Sequence, residues 1–593
     1  MTDSGKFIGT LYGKMALMSV LALAGNFLAQ IIGTIIAGNI LSDSALTVVG
    51  IATPVYYAYG AAGAMLGIGC AALCAYHIGK SEFDTCRRVF SMTYILVLVF
   101  ALLLSALVFL FIDPLCTLLG ATSENVGAVK SYVLALSGGG LGVMLIFPAF
   151  NILRMDGRGK TAVCIFLISG TLSVALTYIF LTHFMMGAYG VAIALCIGSG
   201  IAGLIGTLVL FTKSENFRPL WPDKWKETIK SILSTGTPGA LEYFCFFICM
   251  LTLNNLLASR FGTQAVATYK VTDSIGAFAL IFIWGIVGPL TPLAGVFGAE
   301  RDTQSLREVI KLALRRGLLV IVPLTLLLVI FAPVAAGLFG LSEAQSAVRV
   351  YALSLPVALL NHILIYLYMG SQRTLLANTL LISRMAIWVI TCAILFSLIG
   401  ERAFWWCFLA AEILTLLTAL LLGQAIRKLN INLTPLLLIN ISAERDGRYT
   451  SFSVDPATEA VAKAAAGVTD FCETNELSPK VSMAISLAIE EMLVVIFENS
   501  QATSANVRVL YVPENKIIVL RVRNGGKLFC PVSFAEKAGP EAAMEVMGIN
   551  MILKLALNVD YRSTFGVNNT TIIISTKEGL KKEKHIEKII DQE

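Results

Sequence analysis

Long apolar runs separated by short polar bridges fill roughly the first 430 residues of the chain. A helix that crosses a bilayer needs about 20 mostly apolar residues. Runs of that length fall near 15–38, 46–72, 90–112, 131–152, 162–182, 188–212, 236–258, 265–295, 317–340, 350–370, 376–399 and 404–424, which predicts twelve spans. The pattern changes after Lys428. A linker with an apolar patch at 436–439 covers 429–446. Beyond it the spacing predicts a strand over 449–454, helices over 456–474 and 479–499, strands near 506–511 and 516–523, a helix near 542–557 and a strand near 570–575. About 130 residues of alternating helix and strand suffice for a soluble α+β unit. The expected fold class is an all-α polytopic membrane bundle of 12 spans in two six-helix lobes, plus a C-terminal α+β cytosolic domain. The expected boundaries are 1–220 and 221–428 for the lobes, 447–578 for the domain after the linker, and 579–593 for a charged tail.

The bridges repeat. The one from Gly79 to Phe90 recurs from Gly298 to Ile310, with the glycines 219 positions apart. Segment 44–49 answers 264–269, and 128–136 answers 347–355. Asp113-Pro114 followed by Gly120 answers Ala332-Pro333 followed by Gly340. Four matches in nearly one register point to a duplicated six-span unit. Such symmetry marks secondary transporters, whose substrate path lies between the repeats. An even number of spans per repeat gives both halves one orientation, related by an axis along the membrane normal.

Composition agrees with a membrane chain. Of 593 residues, 57% are hydrophobic and 14% charged, against roughly 25% charged in soluble proteins. The stretch 1–14 is too short and polar for a cleavable signal. Lys80, Arg87, Arg88, Arg154, Arg158, Lys160, Lys213, Arg218, Arg301, Arg307, Arg315 and Arg316 crowd one set of bridges. The positive-inside rule then expects a multi-pass cell membrane protein with both termini cytoplasmic. The net charge of +6 is a topology signal rather than a nucleic-acid signal. Twelve cysteines without a CxxC pair read as free thiols, so no metal site is expected.

An ionisable group inside a span is expensive and therefore a functional candidate. Glu242 opens the seventh span with no local partner. A carboxylate in a low-dielectric cavity can trade a proton for a cation, which makes Glu242 the first choice for coupling. Asp273 has Lys270 one helical turn before it, so it is either a self-neutralised pair or a second ion site. Glu412 and Arg384 are expected to neutralise partners inside the bundle. Asn254, Asn255 and Asn361 either line a polar path or bond across helices. His362 is a lesser candidate for proton chemistry. Glycines and alanines over 60–69 and 137–142 serve close helix packing or bending.

Three segments carry a resemblance over the first 430 residues: Asp43 to Pro54, Asn151 to Arg158 and Gly187 to Ala194. There the chain resembles the multidrug and toxin extrusion (MATE) transporters. The resemblance implies two lobes of six spans around a cleft, and export of organic compounds in exchange for protons or sodium ions. The family's acid in the first span is matched by Gly33 and that in the fifth by Thr177, whereas Glu242 matches a seventh-span glutamate. Coupling is thus expected in the second lobe.

The tail resembles the Bergerat-fold ATPases, nearest the anti-sigma-factor serine kinases. The carriers are the segments 487–499, 523–531 and 547–556. That resemblance places the family's magnesium-binding Asn on Val495, which offers no oxygen to a hard cation. The adenine-reading Asp falls on Asn524, while Glu491 and Gly548 keep their positions. Glu491, Asn524 and Gly548 read as a vestigial nucleotide site, and Asn499 as a shifted ligand at best. The tail is expected to have lost kinase chemistry and kept the shape as a regulatory module for a cytoplasmic partner protein. ATP is not expected as a cofactor.

The leading expectation is a cation-coupled (H+ or Na+) antiporter, not an enzyme, that exports small organic compounds, cationic ones among them, by alternating access. Two alternatives stand beside it: a receptor relaying ligand binding through the tail, and a flippase for lipid-linked precursors.

Overall fold

The computed structural model describes residues 4–41, 43–121, 123–214, 216–338, 341–399, 405–442, 448–537 and 546–576. Eight helices form the first half: α1 (Ser4–Ile40), α2 (Asp43–Gly79), α3 (Phe83–Leu110), α4 (Ile112–Leu118), α5 (Val126–Gly138), α6 (Gly140–Met155), α7 (Gly159–Thr182) and α8 (Gly187–Lys213). The second half has α9 (Trp225–Val287), α10 (Leu290–Ala299), α11 (Thr303–Ile330), α12 (Ala332–Leu338), α13 (Gln345–Gly370), α14 (Thr374–Ile399) and α15 (Cys407–Leu429). Ten helices among the described residues are long and apolar enough to cross a membrane, and eleven if α5 and α6, bent by 42°, count as one span.

The remaining expected span, 236–258, lies inside α9. This helix runs for 63 residues, about 95 Å if straight at 1.5 Å per residue. Yet the Trp284 indole N–H donates to the Glu242 carboxylate at 3.0 Å, across 42 residues of sequence. The run therefore folds back on itself and supplies two arms. The second, with α10, is among the helices long and apolar enough to cross a membrane as Val271–Ala299, while the span expected at 236–258 is not among those found in the described residues. Asn254, Asn255 and Lys270 lie on this stretch, and their side chains fall outside the described residues.

The repeat seen in the sequence is also a repeat of turns. Residues 80–82, 156–158, 300–302 and 371–373 share one hydrogen-bonded turn that leads straight into the next helix. Each has a left-handed residue at the same place: Ser81, Gly157, Arg301 and Gln372. The first and third turns follow α2 and α10, and the second and fourth follow α6 and α13. Asp302 caps α11 by accepting from the Ser305 N–H at 3.0 Å.

At this end the two halves touch closely. The Gln372 amide donates to the Ala72 carbonyl at 3.1 Å. A methyl group at Gly236 would collide with the Met65 carbonyl, and one at Gly69 with that of Ile232. Glycine there lets α2 and α9 meet backbone to backbone, the close approach small residues allow in a membrane. The glycines near 138 do both things expected of them. Helix breaks between α5 and α6, and Gly139 packs against Cys196 with no room for a side chain.

After the linker come β1 (Tyr449–Val454), α16 (Thr458–Thr474), α17 (Pro479–Ser500), β2 (Ala505–Val512), β3 (Ile517–Asn524), α18 (Pro531–Lys537), α19 (Met547–Leu555), β4 (Ala556–Thr564) and β5 (Val567–Ser575). The strands form one antiparallel sheet in the order β1-β2-β3-β5-β4. One face is apolar: Val507, Val509, Ile518, Leu520 and Val522 pack with Ile485, Ile489 and Met492 of α17. β4 is the one strand absent from the sequence expectation, which ran a helix to 557. Its residues are mostly half-buried at the sheet edge, so they carry only a weak alternation for a period-2 reading to find.

The other face carries Arg508, Arg521 and Arg523 on alternate positions of β2 and β3. That face sits on the turns of the bundle. The Arg521 guanidinium donates to the Gly79 carbonyl at 2.9 Å and pairs with Glu300 at 2.6 Å. Arg523 pairs with both Glu300 and Asp302. The Phe565 N–H donates to the Met155 carbonyl at 2.7 Å, and the Asn216 amide to the Ser563 carbonyl at 2.6 Å. The sheet thus bridges turns from both halves.

Candidate functional site

Inside the second half, four helices bring the expected residues into one polar cluster. α9 supplies Glu242 and Trp284, α13 supplies Asn361 and His362, α14 supplies Arg384 and α15 supplies Glu412. Sequence spacing alone left Glu242 without a partner; the folding back of α9 gives it Trp284, and α13 brings His362 to 4.0 Å from the same oxygen. His362 Nδ1 lies 2.7 Å from the Ala358 carbonyl. A carbonyl can only accept, so Nδ1 carries a proton and Nε2 is the nitrogen turned toward Glu242. At 4.0 Å, Nε2 and the carboxylate oxygen face each other without a direct hydrogen bond. The Glu242 side chain keeps a fifth of its surface exposed while His362 is buried, so the acid is the accessible member of the pair.

Glu412 and Arg384 do neutralise each other. Arg384 Nε donates to Glu412 Oε1 at 2.9 Å and Nη2 donates to the same oxygen at 2.5 Å. The Asn361 amide donates to Oε2 at 2.6 Å and to the Glu412 carbonyl at 2.9 Å. Asn361 therefore bonds across helices rather than standing free in a path. Breaking a buried pair from one side costs about 3–5 kcal/mol, because the other charge is left without a partner. Arg384→Leu is expected to lower the melting temperature of the detergent-purified protein sharply. Arg384→Leu combined with Glu412→Leu is expected to recover most of that loss, read by thermal size-exclusion. Equal losses in the two variants would show that the pair does not neutralise itself.

Asp273 stands apart. It acts electrostatically on Tyr57 and Tyr351, and among the described residues no hydrogen bond or ion pair ties it to the cluster. In the tail, each position singled out by the resemblance to nucleotide-binding domains has an internal contact. Glu491 accepts from the Ile549 N–H at 3.0 Å. Asn524 is buried and its amide donates to Gly525 O at 2.8 Å and Ser500 Oγ at 3.2 Å. A side chain at Gly548 would meet Leu487 and Ala488 of α17. Val495 is buried, and the Asn499 amide is engaged by the Val495 carbonyl at 2.8 Å. Residues 538–545, between α18 and α19, lie outside the described residues.

A family model, MatE, matches residues 19–179 and 238–394. The chain belongs to the MatE family. Membership makes this MatE chain a membrane transporter rather than an enzyme. The Staphylococcus aureus multidrug export protein MepA (strain NCTC 8325 / PS 47) is 23% identical over 431 residues, covering 70% of this chain and 94% of MepA. Among solved structures, the outward-facing conformation of a multidrug resistance MATE family transporter superimposes with a TM-score of 0.67 at 21% identity, covering 71% of this chain and 96% of that one. A mutant of the Vibrio cholerae MATE transporter VcmN gives 0.67 at 19% identity, covering 73% and 99%. These likenesses fix the fold of the MatE bundle; both matched segments of the family model end before the linker.

Two positions bear on how this MatE chain differs from the acid pattern implied by the resemblance. Gly33 faces Val174 of α7, one helical turn from the buried Thr177. The first half thus offers no carboxylate there. One residue was misread: Arg154, counted among the bridge cations, lies in α6 and is buried. Its guanidinium sits over the Phe150 ring at 5.2 Å, and Tyr366 is in electrostatic reach of both Arg154 and Glu242. Its place at a helix end beside Asp156 hid it among the charges of the turn.

Proposed function

We propose that the chain is a cation-coupled exporter of small organic compounds, organic cations among them, which trades substrate for H+ or Na+ by alternating access between its two halves. The observation that carries this is the Glu242 constellation: a half-buried carboxyl held by the Trp284 indole N–H, with His362 Nε2 facing it. A carboxyl in that setting holds a proton on one side of the cycle and a cation on the other. The names of MepA and of the superimposed transporter, both multidrug proteins, support the substrate class. The turns that contact the C-terminal sheet are the cation-rich bridges, which supports a cytoplasmic position for that end and for both termini.

Cells deprived of their own exporters and expressing this chain should extrude a fluorescent organic cation faster than cells with an empty vector. Equal retention in both would remove the exporter reading. The contact of the sheet with both halves favours a second reading, a receptor whose bundle reports ligand to the tail. Reconstituted vesicles separate the two, since a receptor binds without gradient-driven flux. The flippase reading is weakened because Arg384 is committed to Glu412.

The C-terminal domain is proposed as a Bergerat-like module that has kept its shape and lost its kinase chemistry. Its box residues serve internal hydrogen bonds. The full chain should show no magnesium-dependent ATP binding at its boxes by calorimetry, and micromolar binding abolished by Gly548→Leu would restore the nucleotide reading.

A further inference from the structure

Three arginines on one face of a sheet need an explanation. Arg508 and Arg521 are direct cross-strand partners, and like charges placed directly opposite each other destabilise a sheet. The acids of the third turn answer only part of this. Glu300, 4% exposed, spends its two carboxylate oxygens on Arg521 and Arg523. Asp302 spends one oxygen on capping α11 and the other on Arg523. No carboxylate bonds Arg508, although Asp302 lies within electrostatic reach of it. It is 2% exposed, donates through Nη1 to the Glu300 carbonyl at 2.5 Å, and lies over the Tyr449 ring at 5.4 Å. Its Nε and Nη2 have no partner. A buried guanidinium with two N–H groups unbonded is costly, since its desolvation is only partly compensated. Burial accordingly pulls Arg508 below the ordinary guanidinium range.

Beside Arg508 lies a cavity of about 370 Å³, between the sheet, the linker and the first, third and fourth turns. Five basic side chains line it, Lys80, Arg301, Arg373, Arg508 and Arg521, against two acidic ones, Glu300 and Asp302. Arg373, on the fourth turn, also has a buried Nη1 without a partner. The sheet contributes an apolar wall that includes Leu510, Val519 and Ile573. Guanidinium forks match phosphate oxygens in geometry and charge, and the volume falls within the range of small-ligand pockets.

We propose that this cavity binds a phosphate group, with Arg508 and Arg373 as its main donors and the sheet wall against the organic part of the ligand. A free organic phosphate and the headgroup of an anionic lipid share that chemistry. Either would join the sheet to turns of both halves, so occupancy tightens the contact between domain and bundle. The proposal does not depend on what the bundle transports, because binding is read without flux.

The test uses the full chain in nanodiscs of phosphatidylcholine, with pyrophosphate as the soluble probe and sodium chloride at matched ionic strength as the control. A second arm replaces a third of the lipid with phosphatidylglycerol. Pyrophosphate is expected to raise the melting temperature of the wild type above the chloride control, with at least tenfold weaker binding in Arg508→Gln and in Arg373→Gln. Stabilisation by phosphatidylglycerol instead, lost in the same variants, assigns the site to a lipid headgroup. Arg373→Gln changes the bundle side only, so it reports even if Arg508→Gln disturbs the sheet. Wild type indifferent to both probes, or both variants binding as tightly as wild type, would overturn the proposal.

Discussion

Glu300→Ala is expected to loosen the C-terminal sheet from the bundle. Glu300 is the shared partner of Arg521 and Arg523, and all three side chains are buried. Removing it leaves two buried guanidinium groups without that partner. Breaking one buried pair costs about 3–5 kcal/mol, most of it the penalty of the charge left behind. That is comparable to the whole stability of a marginal domain, about 5–15 kcal/mol. Hydrogen exchange should therefore rise over the turn at 300–302 and over β2 and β3, while the spans of the bundle stay protected. Glu300→Gln should give a smaller effect, since an amide oxygen can still accept from one arginine. Glu300→Ala joined to Arg521→Leu and Arg523→Leu should restore much of the protection. Unchanged exchange in Glu300→Ala would mean that the sheet is held by its backbone bonds to Met155 and Asn216 rather than by charge.

Glu242→Gln is expected to abolish coupled export while leaving the fold intact. The amide keeps the shape of the side chain, and its oxygen can still accept from Trp284. It cannot give up or take on a proton, and it cannot neutralise a cation. If the acid is the exchanging group, efflux of a fluorescent cation should fall at least tenfold, with expression and melting temperature near those of the wild type. His362→Gln should weaken efflux less, because His362 faces the acid and is itself buried. Efflux unchanged in Glu242→Gln would take the residue out of the mechanism.

How far the chain could be read without coordinates depended on the range of the interaction. The repeated bridges at Gly79 and Gly298 were legible because a duplication keeps local spacing, and they reappear as matched turns with Ser81 and Arg301 in the left-handed region. The pairing of Arg384 with Glu412 was half legible, since two opposite charges inside spans need a partner but do not say which. The partner of Glu242 was not legible. Trp284 lies 42 residues away, and only the reversal of α9 brings them together. The contact between sheet and turns was missed for a different reason. Arg508, Arg521 and Arg523 alternate with valines and leucines, a pattern that an ordinary solvent face of a strand shares. Arginines at i and i+2 on one strand, facing another on its neighbour, are the signal that the face is covered. Arg154 was lost among bridge charges because helix ends are uncertain by a few residues.

The most direct measurement is solute flux in proteoliposomes under one gradient at a time. Wild type and Glu242→Gln are reconstituted in one orientation, loaded with a fluorescent organic cation, and exposed first to a pH gradient and then to a sodium gradient. Movement of the cation driven by at least one of these gradients in the wild type, and by neither in the variant, is the predicted result. Equal gradient-driven movement in both proteins, or movement in the wild type that ignores both gradients, would contradict coupling through the second-half acid.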